Sequence, residues 1–329
     1  MKGKWWIGAT AAVLLGVGVY LYVTNTQDRA ATLSPLSLVK ELPLEKYSIL
    51  ALRNRTFSPT QIYFDEIIAT KSGYQAQLFH FDVDGKKATG LAHIPMTPES
   101  KKMPVIVQFR GFAPKETYTS GVGTQHSAEV YATNGYISLA PDQLGYGGSD
   151  MPGDETVFEE RFQTYTSALQ LLSSIQTIPF ADPSHIYLWG HSNGGQIALT
   201  INTILGERGY PATLWAPVSK AFPYNILAYT DEFDDGGRAL RRELSKFEND
   251  YDVDAFSFSN YIASLVSPIQ IHQGEADIEV PVWWSDEFVE TLRGQRTPIR
   301  YFTYPGMNHN MSGPWDTVVA RDLEFFRTN

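Results

Sequence analysis

Apolar positions fall along this chain in three successive patterns. From Trp5 to Val23 almost every residue is apolar and none is charged, which at about 1.5 Å per residue spans the roughly 30 Å of a hydrocarbon core and predicts a membrane-spanning helix. From Ile62 the pattern changes to β-branched and aromatic runs at Ile62–Ala69, Tyr74–Val83 and Ala88–Ile94, with the hairpin signal Asp84-Gly85 between the last two. Beyond them, the strand-like runs Pro104–Phe109, Tyr136–Ala140, Ile186–Trp189, Pro268–His272 and Ile299–Tyr304 are separated by helix-like stretches near Thr124–Thr133, Glu160–Ile175 and Gln196–Thr200. Strands alternating with helices predict a mostly parallel sheet covered on both faces, with antiparallel strands at its N-terminal end.

Residues 1–24 therefore read as a membrane anchor, 25–59 as a stalk with no chemistry of its own, and 60–329 as one catalytic α/β domain. Lys2 and Lys4 precede the apolar span and Trp5, Trp6, Tyr20 and Tyr22 mark its ends. This arrangement holds the N-terminus in the cytoplasm and places the catalytic unit outside. A cleaved signal peptide is the competing reading, but the first small pair, Ala30-Ala31, follows Asp28-Arg29, which fits a cleavage site badly. The net charge of −10 argues against nucleic acid or an anionic surface as partner. Cysteine is absent, which excludes disulfides and thiol nucleophiles and suits an exported chain.

The chemistry gathers at Gly190-His191-Ser192-Asn193-Gly194-Gly195, between an apolar strand and a helix. A serine on a tight strand-to-helix turn needs small neighbours, because the turn strains the nucleophile and brings flanking chain close. Its hydroxyl also needs an imidazole to take its proton and a carboxylate to orient that ring, following in the order Ser, acid, His. Only His272 and His309 come after Ser192. His272 lies inside an apolar run and reads as a satisfied buried side chain, whereas His309 follows a strand and is the expected base. The acid belongs to Gly274–Pro281, where Asp277 is chosen over its rivals Glu275 and Glu279. The glycine-rich loop Asp142–Ser149 lacks the lysine and hydroxyl of a phosphate loop. Asp250–Asp254 opens like a calcium loop, but Ala255 and Tyr261 stand where its glycine and closing glutamate belong. No metal or cofactor is called for.

Phe180–Ile186 running into Trp189–Gly195, the stretch His272–Asp277, and Tyr304-Pro305-Gly306 leading to His309 together resemble the catalytic domain of the prolyl oligopeptidase (S9) family of α/β-hydrolases. The resemblance covers about Ile62 to the C-terminus. It implies an α/β-hydrolase fold with Ser192 as nucleophile, Asp277 as orienting acid and His309 as general base. Ala216-Pro217-Val218-Ser219-Lys220 and the residues after it are similar to the stretch that lines the pocket for the residue before the scissile bond, and the resemblance carries that role to Val218, Tyr224 and Tyr229. The family's intervening aromatic does not align cleanly, since Ala221 stands at that spacing beside Phe222.

Two departures bear on the reaction. Fewer than a hundred residues separate the apolar span from the hydrolase core, too few for the β-propeller that family peptidases place there. The family's oxyanion tyrosine corresponds to Phe109, so the oxyanion hole falls to backbone N–H groups of Asn193 and of a loop residue such as Phe112. An acidic insert at about 230–267 should sit over the site as a lid or side wall. The leading expectation is a serine hydrolase of the S9 type acting on peptide or amide bonds. A carboxylic ester hydrolase on the same triad is the alternative, and a non-catalytic membrane-tethered binding protein is an alternative of another class.

Overall fold

The computed structural model describes residues 40–96, 102–153 and 156–329. The expected membrane span, Trp5–Val23, lies outside them; among the described residues no helix is long and apolar enough to cross a membrane.

Leu44–Asn329 form one compact unit. Residues 44–59, expected as a stalk, belong to it, because the helix α1 (Ile49–Asn54) buries Ile49 and Leu52 in the main core. The Arg53 guanidinium then ties that helix to the Thr203 carbonyl at 2.9 Å. In sequence order there follow β1 (Tyr63–Lys71), β2 (Tyr74–Val83), β3 (Lys86–Pro95), β4 (Met103–Phe109), α2 (Gln125–Thr133), β5 (Ile137–Pro141), α3 (Val157–Ser174) and β6 (Ala181–His191). After them come α4 (Asn193–Leu205), β7 (Ala212–Trp215), α5 (Tyr224–Leu227), α6 (Arg238–Asp250), β8 (Ile269–Gly274), α7 (Val282–Gly294), β9 (Ile299–Tyr304) and α8 (Trp315–Thr328).

These strands make one sheet in the order β1-β2-β3-β5-β4-β6-β7-β8-β9. The pairs from β1 through β3 to β5 are antiparallel and the rest are parallel. The β2–β3 hairpin closes where expected, with Asp84 at φ 50° and Gly85 at φ 75° supplying the left-handed pair that a two-residue turn requires. Helix α3 starts where the Thr156 hydroxyl accepts the Glu159 N–H at 3.1 Å. It buries Phe158, Phe162, Tyr165, Leu169 and Leu172, whose spacing of three and four residues keeps them on one face.

The insert is fixed to the core by aromatic packing. Phe247 and Phe256 from the insert and Phe222 before it close on Phe162 with ring centroids 4.9 to 5.9 Å apart. Phe222 is accordingly core rather than pocket lining. Asp252 accepts the Asp254 N–H at 3.0 Å and so starts a short 3-10 turn.

The opposite side of the sheet is built over Asp322 of α8, which is fully buried. Its carboxylate accepts hydrogen bonds from Tyr131 (2.8 Å), Trp215 (2.9 Å), Gln270 (3.1 Å) and the Thr213 hydroxyl. His272 Nε2 lies 3.1 Å from the same group, and its Nδ1 lies 2.8 Å from the Tyr304 hydroxyl. His272 is thus a satisfied core histidine. Removing the shared carboxylate strands its donors without an acceptor, at a cost of about 3 to 5 kcal/mol. Asp322→Ala should lower the urea-unfolding free energy by about that much, whereas Asp316→Ala, exposed on the same helix, should change it little.

Candidate active site

β6 ends at His191, α4 begins at Asn193, and Ser192 between them has φ 57° and ψ −121°. A non-glycine residue in that region is strained and persists only when its surroundings over-determine it. Here the constraint is close approach. A Cβ on Gly194 would lie 1.8 Å from the Phe109 carbonyl oxygen, and one on Gly190 would lie 2.5 Å from the Gly194 carbonyl oxygen. The first turn of α4 therefore rests directly on the end of β4, and only glycine permits it. The Ser192 N–H donates to Trp215 O at 2.9 Å, and its carbonyl accepts from Val218 N at 3.1 Å.

His309 lies in the loop after β9, and Asp277 in the loop after β8. Their side chains meet at 2.8 Å, His309 Nδ1 to Asp277 Oδ2, with both residues buried. The two loops close on each other because Gly274 has no side chain; a Cβ there would lie 2.4 Å from Met307 O. Asp277 Oδ1 accepts the N–H groups of Glu279 and Val280, both at 2.9 Å, and Oδ2 accepts from Gln273 Nε2 at 3.1 Å. Burial works to raise the Asp277 pKa. The hydrogen bond from His309 and then those from Val280 and Glu279 outweigh it, holding the carboxyl below its ordinary range. Of the rival acids, Glu275 is exposed, and Glu279 is exposed with Oε2 3.8 Å from His309 Nε2, the ring nitrogen that Asp277 leaves free.

The chain joins the histidine loop to the elbow through His191, whose Nε2 donates to the His309 carbonyl at 3.1 Å and whose ring centroid is 4.6 Å from that of His309. His191 also lines a cleft of about 760 Å³ between the first turns of α2 and α8, with His126, Trp189, Asn310 and Trp315 around it. On the other side of the elbow, Val218 is buried against Val280 and Trp284. Tyr224 and Tyr229 stand 5.8 and 6.2 Å from the Trp284 ring. Tyr224 is half exposed, and Tyr229 is the more enclosed of the two. Burial, then the Asp277 charge, raises the pKa of Tyr229, which keeps that phenol neutral.

Phe109 is buried at the end of β4, and the following loop carries Phe112 outward, 82% exposed. The loop backbone borders Ser192: a Cβ on Gly111 would be 3.0 Å from Ser192 Cβ. The sequence reading passed over three residues that shape the site, Gln273, Trp284 and Arg110. Gln273 offers no motif, but it is fully buried, and beyond Asp277 it bonds Val280 O at 2.9 Å and Ser285 Oγ at 2.8 Å. Trp284 had a signal in the Trp283-Trp284 pair. Arg110, a charge directly after an apolar strand, had one too.

A strained serine at a strand-to-helix turn, with a buried histidine–carboxylate pair on neighbouring strand-end loops, defines a serine hydrolase of the α/β-hydrolase fold. Within that class the chain belongs to the prolyl oligopeptidase family, whose sequence model matches residues 123–328. Solved structures share the fold at low identity. The acetyl xylan esterase of Paenibacillus sp. R4 is 18% identical, with a TM-score of 0.61 over 88% of this chain and 96% of that one. Est1E of Butyrivibrio proteoclasticus is 20% identical, with a TM-score of 0.55 over 78% and 98%. The acylaminoacyl peptidase of Pyrococcus horikoshii is 16% identical, with a TM-score of 0.59 over 82% of this chain but only 47% of its own length.

Burial, then the neighbouring His309 ring, pushes the His191 pKa down to about 4. Unfolding returns it to about 6.5, so the unfolded chain binds the extra proton between those values, and stability falls as pH drops through that window. His191 should account for about 2 kcal/mol of that fall, less than the full shift because part of the ring faces the cleft. Comparing urea melts of the wild type and His191→Asn at pH 7.5 and 4.5 checks this: the variant should show the smaller pH dependence.

Proposed function

We propose that this chain is a membrane-tethered carboxylic ester hydrolase working through an acyl-enzyme. Ser192 Oγ attacks the ester carbonyl carbon while its proton passes to His309 Nε2, and Asp277 holds the ring through Nδ1. The N–H groups of Asn193 and Phe112 receive the oxyanion. His309 returns the proton to the leaving alkoxide, and a water activated by the same ring releases the acid and frees Ser192. The cleft beside His191 leaves room for the alcohol portion, and the box of Val218, Tyr229 and Trp284 suits the acyl portion.

The observation that carries this reading is Phe109. The position from which the family's tyrosine hydroxyl assists the oxyanion holds a buried side chain with no donor. Losing one such donor costs on the order of 3 kcal/mol of transition-state stabilisation, a deficit more tolerable for an activated ester than for an amide. The aromatic box beside Ser192 favours a second reading, hydrolysis of peptide or amide bonds after an apolar residue. The apolar span Trp5–Val23 supports the tether, with the catalytic unit outside the membrane, and the net charge of −10 disfavours nucleic acid as a partner.

Initial rates on p-nitrophenyl acetate and on aminoacyl p-nitroanilides separate the two. Rapid ester turnover with negligible anilide turnover is expected, and the reverse would replace the ester reading with the peptide one. Ser192→Ala should abolish labelling by a fluorophosphonate probe. Asp277→Asn should lower kcat by about 10⁴ at neutral pH, since the amide favours the wrong histidine tautomer.

A further inference from the structure

Arg110 is 5% exposed, and among the described residues its guanidinium forms no ion pair. Its single hydrogen bond runs from Nη1 to the carbonyl of the next residue, Gly111, at 2.8 Å, and Nε and Nη2 have no partner. The group is held between two rings, with its central carbon 4.5 Å from the Tyr118 centroid and 4.3 Å from the Tyr146 centroid. Those rings are themselves fixed. They meet edge to face at 5.1 Å. Tyr118 donates to the buried Asp142, which also accepts from Ser120 at 2.7 Å and Thr89 at 2.6 Å, while the Tyr146 hydroxyl donates to Ala113 O at 3.3 Å. A buried guanidinium is costly, and this one is offset by two aromatic faces and a single backbone carbonyl.

That carbonyl belongs to the peptide unit lying over the nucleophile. A trans peptide is planar, so the Gly111 C=O and the Phe112 N–H point in opposite directions. Whatever fixes the oxygen therefore aims the N–H. Among the described residues the Phe112 N–H meets no acceptor, although the peptide it belongs to borders Ser192. Glycine at 111 leaves the peptide free to rotate unless something holds it.

We propose that Arg110 is a positioning residue for the oxyanion hole: by clamping Gly111 O against the Tyr118–Tyr146 platform it turns the Phe112 N–H toward the substrate oxygen. This rests on the reading of Asn193 and Phe112 as the oxyanion donors. It gives the chain a substitute for the hydroxyl that Phe109 lacks, since a rigidly aimed N–H is worth more to a developing charge than a mobile one. It also explains why a cation, rather than a neutral donor, holds this carbonyl: a positive charge beside the oxygen draws electron density out of the amide and makes its N–H a stronger donor.

The test uses the full chain with p-nitrophenyl acetate as substrate and phenylboronic acid as a mimic of the tetrahedral adduct. Turnover by the wild type establishes the hydrolase reading separately from the clamp. Arg110→Met keeps an unbranched apolar stem and removes the charge and every donor; it should lower kcat by roughly 30- to 100-fold with KM changed less than about threefold, and weaken boronate binding by a similar factor. Arg110→Lys, which keeps the charge and gathers its donors on one nitrogen, should recover part of both losses. A merely structural arginine would lower the melting temperature and leave the ratio of boronate to substrate affinity unchanged, which overturns the proposal. So does a kcat within threefold of wild type. Should Arg110→Met fail to fold, Arg110→Lys carries the same comparison: an intermediate loss confined to kcat and boronate affinity supports the clamp, and wild-type values for both overturn it.

Discussion

The contact between Gly194 and the Phe109 carbonyl oxygen is the constraint on which the site depends. With a Cβ at 194 separated from that oxygen by only 1.8 Å, no side chain can stand there, so the first turn of α4 sits directly on the end of β4. That closeness forces Ser192 to φ 57° and presents its side chain above the sheet. It also brings the loop after β4 beside Ser192, so one steric fact positions both that side chain and the peptide that lies over it. The strain is held by hydrogen bonds of the Ser192 backbone to Trp215 and Val218, from the neighbouring strand and the loop that follows it.

Among the described residues there are two buried histidine–aspartate pairs, and comparing them separates structure from chemistry. His272 lies 3.1 Å from Asp322 and His309 lies 2.8 Å from Asp277. The carboxylates are alike in being saturated with donors. The difference lies at the second ring nitrogen. That of His272 is occupied by the Tyr304 hydroxyl at 2.8 Å, whereas near that of His309 the described residues place the exposed Glu279 carboxylate, at 3.8 Å. A ring with both nitrogens engaged is a cross-link; a ring with one nitrogen open at a strand end can move a proton.

Polar atoms on the two sides of Ser192 are treated differently. Toward β8, Asp277 is embedded in backbone N–H groups and Gln273, which keeps it charged and still. Toward β4, the family's hydroxyl is missing, and a buried arginine between two tyrosine rings stands behind the loop instead. The first arrangement is built from short-range hydrogen bonds within one loop. The second draws on β3, β5 and the loops beside them, because Asp142, Thr89 and Ser120 must hold Tyr118 before Tyr118 can hold Arg110.

The order of strands and helices, the hairpin at Asp84-Gly85, the elbow around Ser192 and the separate fates of His272 and His309 were all legible in the sequence. Each depends on local periodicity, on glycine at a turn, or on position relative to a strand end, and those are properties of neighbouring residues. The choice of Asp277 over Glu275 and Glu279 rested on little in the sequence, since three carboxylates within five residues differ only in which way the loop turns them. Tertiary structure decided which of the three meets His309, along with the inclusion of 44–59 in the core, the retreat of Phe222 into an aromatic cluster, and the contacts of Gln273, Trp284 and Arg110. These outcomes depend on residues tens to hundreds of positions apart meeting in space, and a buried polar side chain discloses its purpose only when the groups that satisfy it are in place.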